Sequence, residues 1–224
     1  MSLEFLAPDA AVASDRHTPL ARTPMERAAR AGWADVSHLG KLELHATSPH
    51  DLAEMVASAA DGATLELSTA TRAADGWWLP LTAGRALVVC APATLPGLRE
   101  RLEDAASGAS GTVSVVDATC KYAAVTLVGP LAREVCARFS AIDLRPQVTP
   151  VLGFRPGSVA RTPGMVVREG EERFLVLFGW ALGAYVWETV TDAGAHLGGS
   201  PVGADALEQV AIGIAPVREE ASRA

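Results

Sequence analysis

Asparagine is absent from this sequence, and lysine occurs only twice, at Lys41 and Lys121, against 17 arginines. Together with the abundance of alanine, this bias points to a GC-rich genome rather than to a chemical requirement. Cysteine is also sparse. Cys90, Cys120 and Cys136 are an odd number at no metal-ligand spacing. That argues against a disulfide framework or a zinc site and for free thiols in a reducing compartment. No apolar run approaches the ~18 residues that a membrane span requires. The longest, Phe174 to Phe178 and on through Trp180-Ala181-Leu182, is interrupted by Gly179 and Gly183. The first residues carry Glu4, Asp9 and Asp15 without a basic start, unlike a secretory leader. A cytoplasmic protein is expected. A basic surplus is missing as well: the net charge is -7 and the pI about 5.2, which disfavours nucleic acid as a partner. There is no G-x-G-x-x-G, no G-x-x-x-x-G-K-[ST] and no G-x-S-x-G, so dinucleotide, P-loop and hydrolase-elbow chemistry lack their signatures. The five histidines never fall at H-x-H or H-x-x-x-H spacing, and no metal site is expected.

What is present is a core. Of the 224 residues 49% are hydrophobic and 20% charged, with mean hydropathy +0.20, enough to build one domain or two small ones. Residues 1–31 form an arm with a short helix predicted from Pro24, capped by Thr23. Residues 32–106 and 112–210 then repeat one layout, and 211–224 form a tail. In the first stretch, Lys41 to Ala46 alternates as a half-buried strand. Ser48 and Pro49 open a helix running to Ala59. Thr64 to Ser68 alternates again. Trp77 to Leu81 and Arg85 to Cys90 form a hairpin, and Leu95 to Ala106 is helical. Ser107 to Gly111 is the linker. In the second stretch, strands are predicted over Val113 to Val116 and Ala123 to Val128, with a helix from Gly129-Pro130 to Phe139. A proline-rich loop covers Asp143 to Pro156. Short strands follow over Gly157 to Thr162 and Met165 to Arg168, then a turn at Glu169 to Glu172, a buried strand Arg173 to Phe178 and a helix from about Ala181 to Ala193. Two strand-helix-strand-strand-helix halves imply an α+β fold of two ferredoxin-like sheets, with helices packed on mixed or antiparallel strands. Leu42, Leu44, Val125, Leu127, Phe174, Val176 and Phe178 are its expected interior.

Two tetrapeptides mark the repeat. Asp35-Val-Ser37-His lies 82 residues before Asp117-Ala-Thr119-Cys, each ahead of an alternating strand. An Asp with Ser or Thr two residues on shapes a turn through its own backbone, or presents a polar pocket wall. Trp77 and Trp78 are adjacent on a strand and face opposite sides, so one is expected in the core and one exposed as a stacking platform or contact. Trp180 and Tyr185 extend that apolar contact surface.

Gly32-Trp-Ala-Asp35-Val-Ser37-His38-Leu-Gly40-Lys41 resembles the G-x-x-D-x-S-H-x-G-K/E segment of glycine cleavage T-proteins, the folate-binding aminomethyltransferases. Arg161-Thr-Pro-Gly164, followed by Glu172-Arg-Phe174-Leu175-Val, resembles that family's S-R-T-G…E-x-x-F-E-L. Val116-Asp117-Ala-Thr119, Gly129-Pro130-Leu-Ala-Arg133, Ile142-Asp-Leu-Arg-Pro146 and Gly157-Ser-Val-Ala-Arg161 resemble the gamma subunit of heterotetrameric sarcosine oxidase. The resemblance implies a T-protein-like fold with tetrahydrofolate as cofactor. It also implies a flavoprotein partner subunit of an amine oxidase or demethylase, with a homo-oligomer as the other arrangement. Asp35, Ser37, Asp117, Thr119 and Arg161, with Trp77 or Trp78 as a wall, are the residues expected at a cofactor. Asp75 is the one candidate for the family's catalytic acid, in a stretch that reads Ala73-Ala74-Asp75-Gly76-Trp77-Trp78. Leu175 stands where the family has a pterin-reading glutamate. The function implied is a subunit supporting folate-linked oxidative demethylation of a small N-methyl amine. The alternatives are a stand-alone one-carbon transferase and a non-catalytic interaction module.

Overall fold

The structure is a computed structural model that describes residues 30–60, 62–73, 76–204 and 206–207. The predicted arm helix, apart from Arg30 and Ala31, and the C-terminal tail lie outside these residues. Eleven strands and four α-helices are described: β1 (Gly32–Asp35), β2 (Gly40–Ala46), α1 (Pro49–Ala59), β3 (Thr71–Ala73), β4 (Gly76–Thr82), β5 (Arg85–Cys90), α2 (Leu95–Ser107), β6 (Val113–Asp117), β7 (Tyr122–Val128), α3 (Ala132–Phe139), β8 (Phe154–Val159), β9 (Thr162–Gly170), β10 (Arg173–Gly179), α4 (Gly183–Ala195) and β11 (Ser200–Pro201).

The strands form two sheets, one ordered β3-β4-β5-β2-β6 and the other β11-β1-β7-β10-β9-β8. The α+β expectation of two sheets with helices therefore holds. On the five-stranded sheet, Leu42, Leu44, Trp78 and Val88 pack against Leu52, Met55, Leu98 and Leu102 of α1 and α2. On the six-stranded sheet, Trp33, Val125, Phe174 and Val176 pack with Val135 of α3 and Val186 and Val190 of α4. The remaining faces meet each other, Trp77, Leu79, Leu87 and Val89 against Ala124, Val167, Leu175 and Leu177. The result is four layers, helix-sheet-sheet-helix. Because β10 lies between two covered faces, it is an unbroken apolar run rather than an alternating one. All seven residues expected in the interior are buried.

The sheets exchange strands. β1 precedes the first sheet in sequence but pairs antiparallel with β7 of the second, Gly32 opposite Val128 and Asp35 opposite Val125. β6 precedes the second but pairs with β2 of the first, Leu42 opposite Asp117 and Ala46 opposite Val113.

α1 begins as predicted: Pro49 occupies the first turn, and the Ser48 Oγ accepts from the His50 N–H at 3.2 Å. Thr64 to Ser68 is not a strand. Ser68 turns the chain with φ 71°, which ends an extended run, and only Thr69 bridges to Gly153. The two short strands around residue 160 are one hairpin of β8 and β9. Its two-residue tip is Ala160-Arg161, both left-handed at φ 47° and 62°. The expected exposed tryptophan is also corrected. Trp77 and Trp78 do face opposite sides, but both are buried, because helices cover one face of the sheet and the second sheet covers the other.

Candidate functional site

The two tetrapeptides are the crossovers between the sheets, and they brace each other in equivalent ways. The Ser37 N–H donates to the Asp35 Oδ1 at 2.9 Å, and the Thr119 N–H donates to the Asp117 Oδ1 at 2.9 Å. Each is a side chain closing its own turn. The hydroxyls then reach the other crossover's strand. Ser37 Oγ accepts from the Ala124 N–H at 3.0 Å, and Thr119 Oγ1 accepts from the Lys41 N–H at 3.1 Å. Val36 N–H donates to Ala124 O and Ala118 N–H donates to Lys41 O, both at 2.9 Å. Lys41 is fully buried, and its Nζ donates to the carbonyls of Ser37 and Leu39. Asp35, Ser37, Asp117 and Thr119 are thus brought to one crossing. Burial raises the Asp35 carboxyl above its ordinary range, and the hydrogen bond from Ser37 opposes the rise without cancelling it.

Arg161 is not at that crossing. It is exposed at the β8–β9 tip, three to four strand positions from β1 in the order β1-β7-β10-β9-β8, on the order of 15 Å away across the sheet. Asp75 lies outside the described residues. Gly76, next to it, has φ 147°, and an added Cβ would lie 2.1 Å from the Val89 carbonyl oxygen.

Two carboxylates that sequence reasoning passed over organise the space between the sheets. Glu169 is buried on β9. Its Oε1 accepts from the Trp77 indole N–H at 2.6 Å and its Oε2 from the Arg173 Nε at 2.9 Å, while Arg173 also donates to the Leu207 carbonyl. Arg72 stacks over Trp77 at 5.0 Å. Leu175 pairs with Val167 and is buried in the same layer, two positions along β9 from Glu169. Glu43, on β2, is the second. Its Oε1 accepts from Lys121 Nζ at 2.6 Å and the Tyr122 hydroxyl at 2.5 Å. Its Oε2 lies 3.2 Å from His45 Nε2 and 3.7 Å from an Arg85 guanidinium nitrogen. Burial alone would raise this carboxyl, but the hydrogen bonds from Lys121, Tyr122 and His45 prevail and bring it down to about 2. The same contacts raise Lys121, chiefly through the hydrogen bond to Glu43, and burial followed by that carboxylate raises Tyr122. Glu43 is held ionised while Lys121 and Tyr122 are held protonated, so none of the three is poised to exchange a proton near neutrality. The signal for Glu43 was in the alternation: Lys41, Glu43 and His45 share one face of β2, opposite Leu42 and Leu44. Glu169 gave less, since it reads as part of an acidic turn.

A separate cleft of about 270 Å³ lies between α3 and residues 140–145, with Arg133, Glu134, Asp143 and Arg145 on its walls. None of the residues expected at a cofactor lines it, although Arg133 and Ile142 to Arg145 belong to the segments that resemble the sarcosine oxidase gamma subunit.

Residues 14–213 match the family model of the GCVT N-terminal domain, and the chain belongs to that family. Its fold is similar to that of a chain of the heterotetrameric sarcosine oxidase from Corynebacterium sp. U-96, with a TM-score of 0.66 and 22% identity over 80% of this chain and 89% of that one. It is also similar to the glycine cleavage system aminomethyltransferase T from Bartonella henselae, with a TM-score of 0.62 and 18% identity over 81% of this chain and 50% of that one. No curated protein sequence shows significant similarity. Among the described residues no helix is long and apolar enough to cross a membrane.

Proposed function

We propose that this chain is a T-protein-like subunit supporting folate-linked oxidative demethylation of a small N-methyl amine, seated against a flavoprotein that carries the redox centre. The observation that carries this reading is the filling of the layer between the sheets. The described residues do not fit a pterin there. Leu175 offers no acceptor to a pterin edge, and both oxygens of Glu169 are engaged by Trp77 and Arg173. Trp77 and Trp78 are buried rather than open for stacking. No chemical step is therefore routed through a folate held in this layer. The likeness in fold to a chain of a heterotetrameric sarcosine oxidase supports the subunit reading. In this reading Asp35, Ser37, Asp117 and Thr119 position the crossovers, and Arg161, exposed at the β8–β9 tip, is available to a partner.

Thermal unfolding with tetrahydrofolate tests it. The expected result is an unchanged midpoint for the isolated chain, together with co-purification of a flavoprotein when the neighbouring genes are co-expressed. A ligand at a hundred times its Kd adds about 2.7 kcal/mol, a readily visible shift. Such a shift with the isolated chain would overturn the reading in favour of the one-carbon transferase. Absence of both the shift and the flavoprotein would leave an interaction module.

A further inference from the structure

Two sheets expose four edges among the described residues, and three are blunted. β3 has three residues, β11 has two and ends in Pro201, and β8 carries Pro156 and Gly157. These are the ordinary defences of a sheet edge: short length, proline and irregular backbone. β6, Val113-Ser-Val-Val-Asp117, has none of them, and its pairing with β2 shows no bulge.

The outward hydrogen-bonding groups of β6 follow from its register. Ala118 N–H donates to Lys41 O and Thr47 N–H to Thr112 O, so residues 112, 114, 116 and 118 bond inward to β2. In an antiparallel ladder the residues between them turn their N–H and C=O groups away. Val113, Val115 and Asp117 therefore present a row of main-chain donors and acceptors at the free edge. Ser114, Val116 and Asp117 are exposed, Val116 at 47%.

We infer that β6 pairs antiparallel with β6 of a second copy of this chain, joining the two five-stranded sheets into one. The strand is self-complementary in the register that this requires. With Val115 facing Val115, Val113 faces Asp117 of the second copy, so all three outward residues meet outward residues in about six main-chain hydrogen bonds. The single carboxylate of the strand lands opposite a valine rather than another carboxylate, where a like-charge pair would destabilise. Val116 lands opposite Ser114 of the second copy and is covered. The flanking charges balance despite the net charge of -7. Glu43 has Lys121 and Arg85 beside it, and Arg99, which pairs with Glu103, also senses Asp117. Repulsion between the remaining surfaces is screened beyond about 8 to 10 Å.

The test is sedimentation of the full chain across micromolar concentrations, with amide hydrogen exchange read at Val113, Val115 and Asp117. The expected result is a reversible dimer in which these three amides become protected as concentration rises. Val115→Pro removes an outward N–H but no bond to β2, and Val116→Lys alters an exposed face only. Both are expected to raise the dimer dissociation constant about tenfold or more, with Val116→Lys keeping the thermal midpoint. Val116→Lys keeps the test decisive where loss of Val115 packing upsets the fold. A wild-type chain that stays monomeric overturns the inference. So does a dimer that persists in Val116→Lys, or one that leaves the three amides unprotected.

Discussion

Glu43 illustrates what a single residue does here. A carboxylate between two sheets is stabilising only if its charge is met, and Lys121, Tyr122 and His45 meet it from two strands. Its folded value near 2 lies below the ordinary 4.5. The stabilisation is therefore complete above about pH 4.5 and is lost as pH falls through 2. Glu43→Gln is expected to cost about 1 to 3 kcal/mol at pH 7, since hydrogen bonds to a charged group are removed. The cost should shrink steadily between pH 4.5 and 2, where the wild type becomes neutral too. Urea unfolding of both proteins at a series of pH values measures this. A difference that stays constant down to pH 2 would remove the charge from the explanation.

At the scale of elements, backbone demands decide more than side-chain preference. Gly76 opens β4 at φ 147°, hard against the Val89 carbonyl. Gly76→Ala should destabilise by more than about 2 kcal/mol, through both the backbone conformation and the clash. Gly179→Ala, at a position with nothing within 4 Å of an added Cβ, should be close to neutral. Differential scanning calorimetry on the pair separates the two. The elements that sequence made legible were those set by local chemistry. Ser48-Pro49 announces α1, Thr82-Ala-Gly84 sits at the β4–β5 turn, and Phe174 to Phe178 announces a doubly covered strand. β1 was not legible. Its four residues carry no periodicity to speak of, and its partner β7 lies some 90 positions further on. The candidate site divides in the same way. The turns at Asp35 and Asp117 follow from residues two apart, whereas the Trp77–Glu169 contact joins residues 92 apart. The burial of both tryptophans depends on a second sheet that no local pattern reveals.

For the whole molecule, exchange of β1 and β6 makes the two stretches mutually dependent. Cutting the chain within 108–111 leaves β1 without β7 and β2 without β6. The fragments on either side are expected to lack cooperative unfolding alone and to regain it, with near-ultraviolet circular dichroism, when mixed. A cooperative transition in either isolated fragment would make the two stretches independent domains.

The same exchange has a consequence for biosynthesis. As the polypeptide leaves the ribosome, β1 emerges with Trp33 and Ala34 uncovered and waits for residues 125–128 before it can join a sheet. At about 5 to 20 residues per second that interval lasts roughly 5 to 20 seconds. During that time the nascent chain carries an unpaired apolar strand, on which a chaperone that shields extended hydrophobic segments would act.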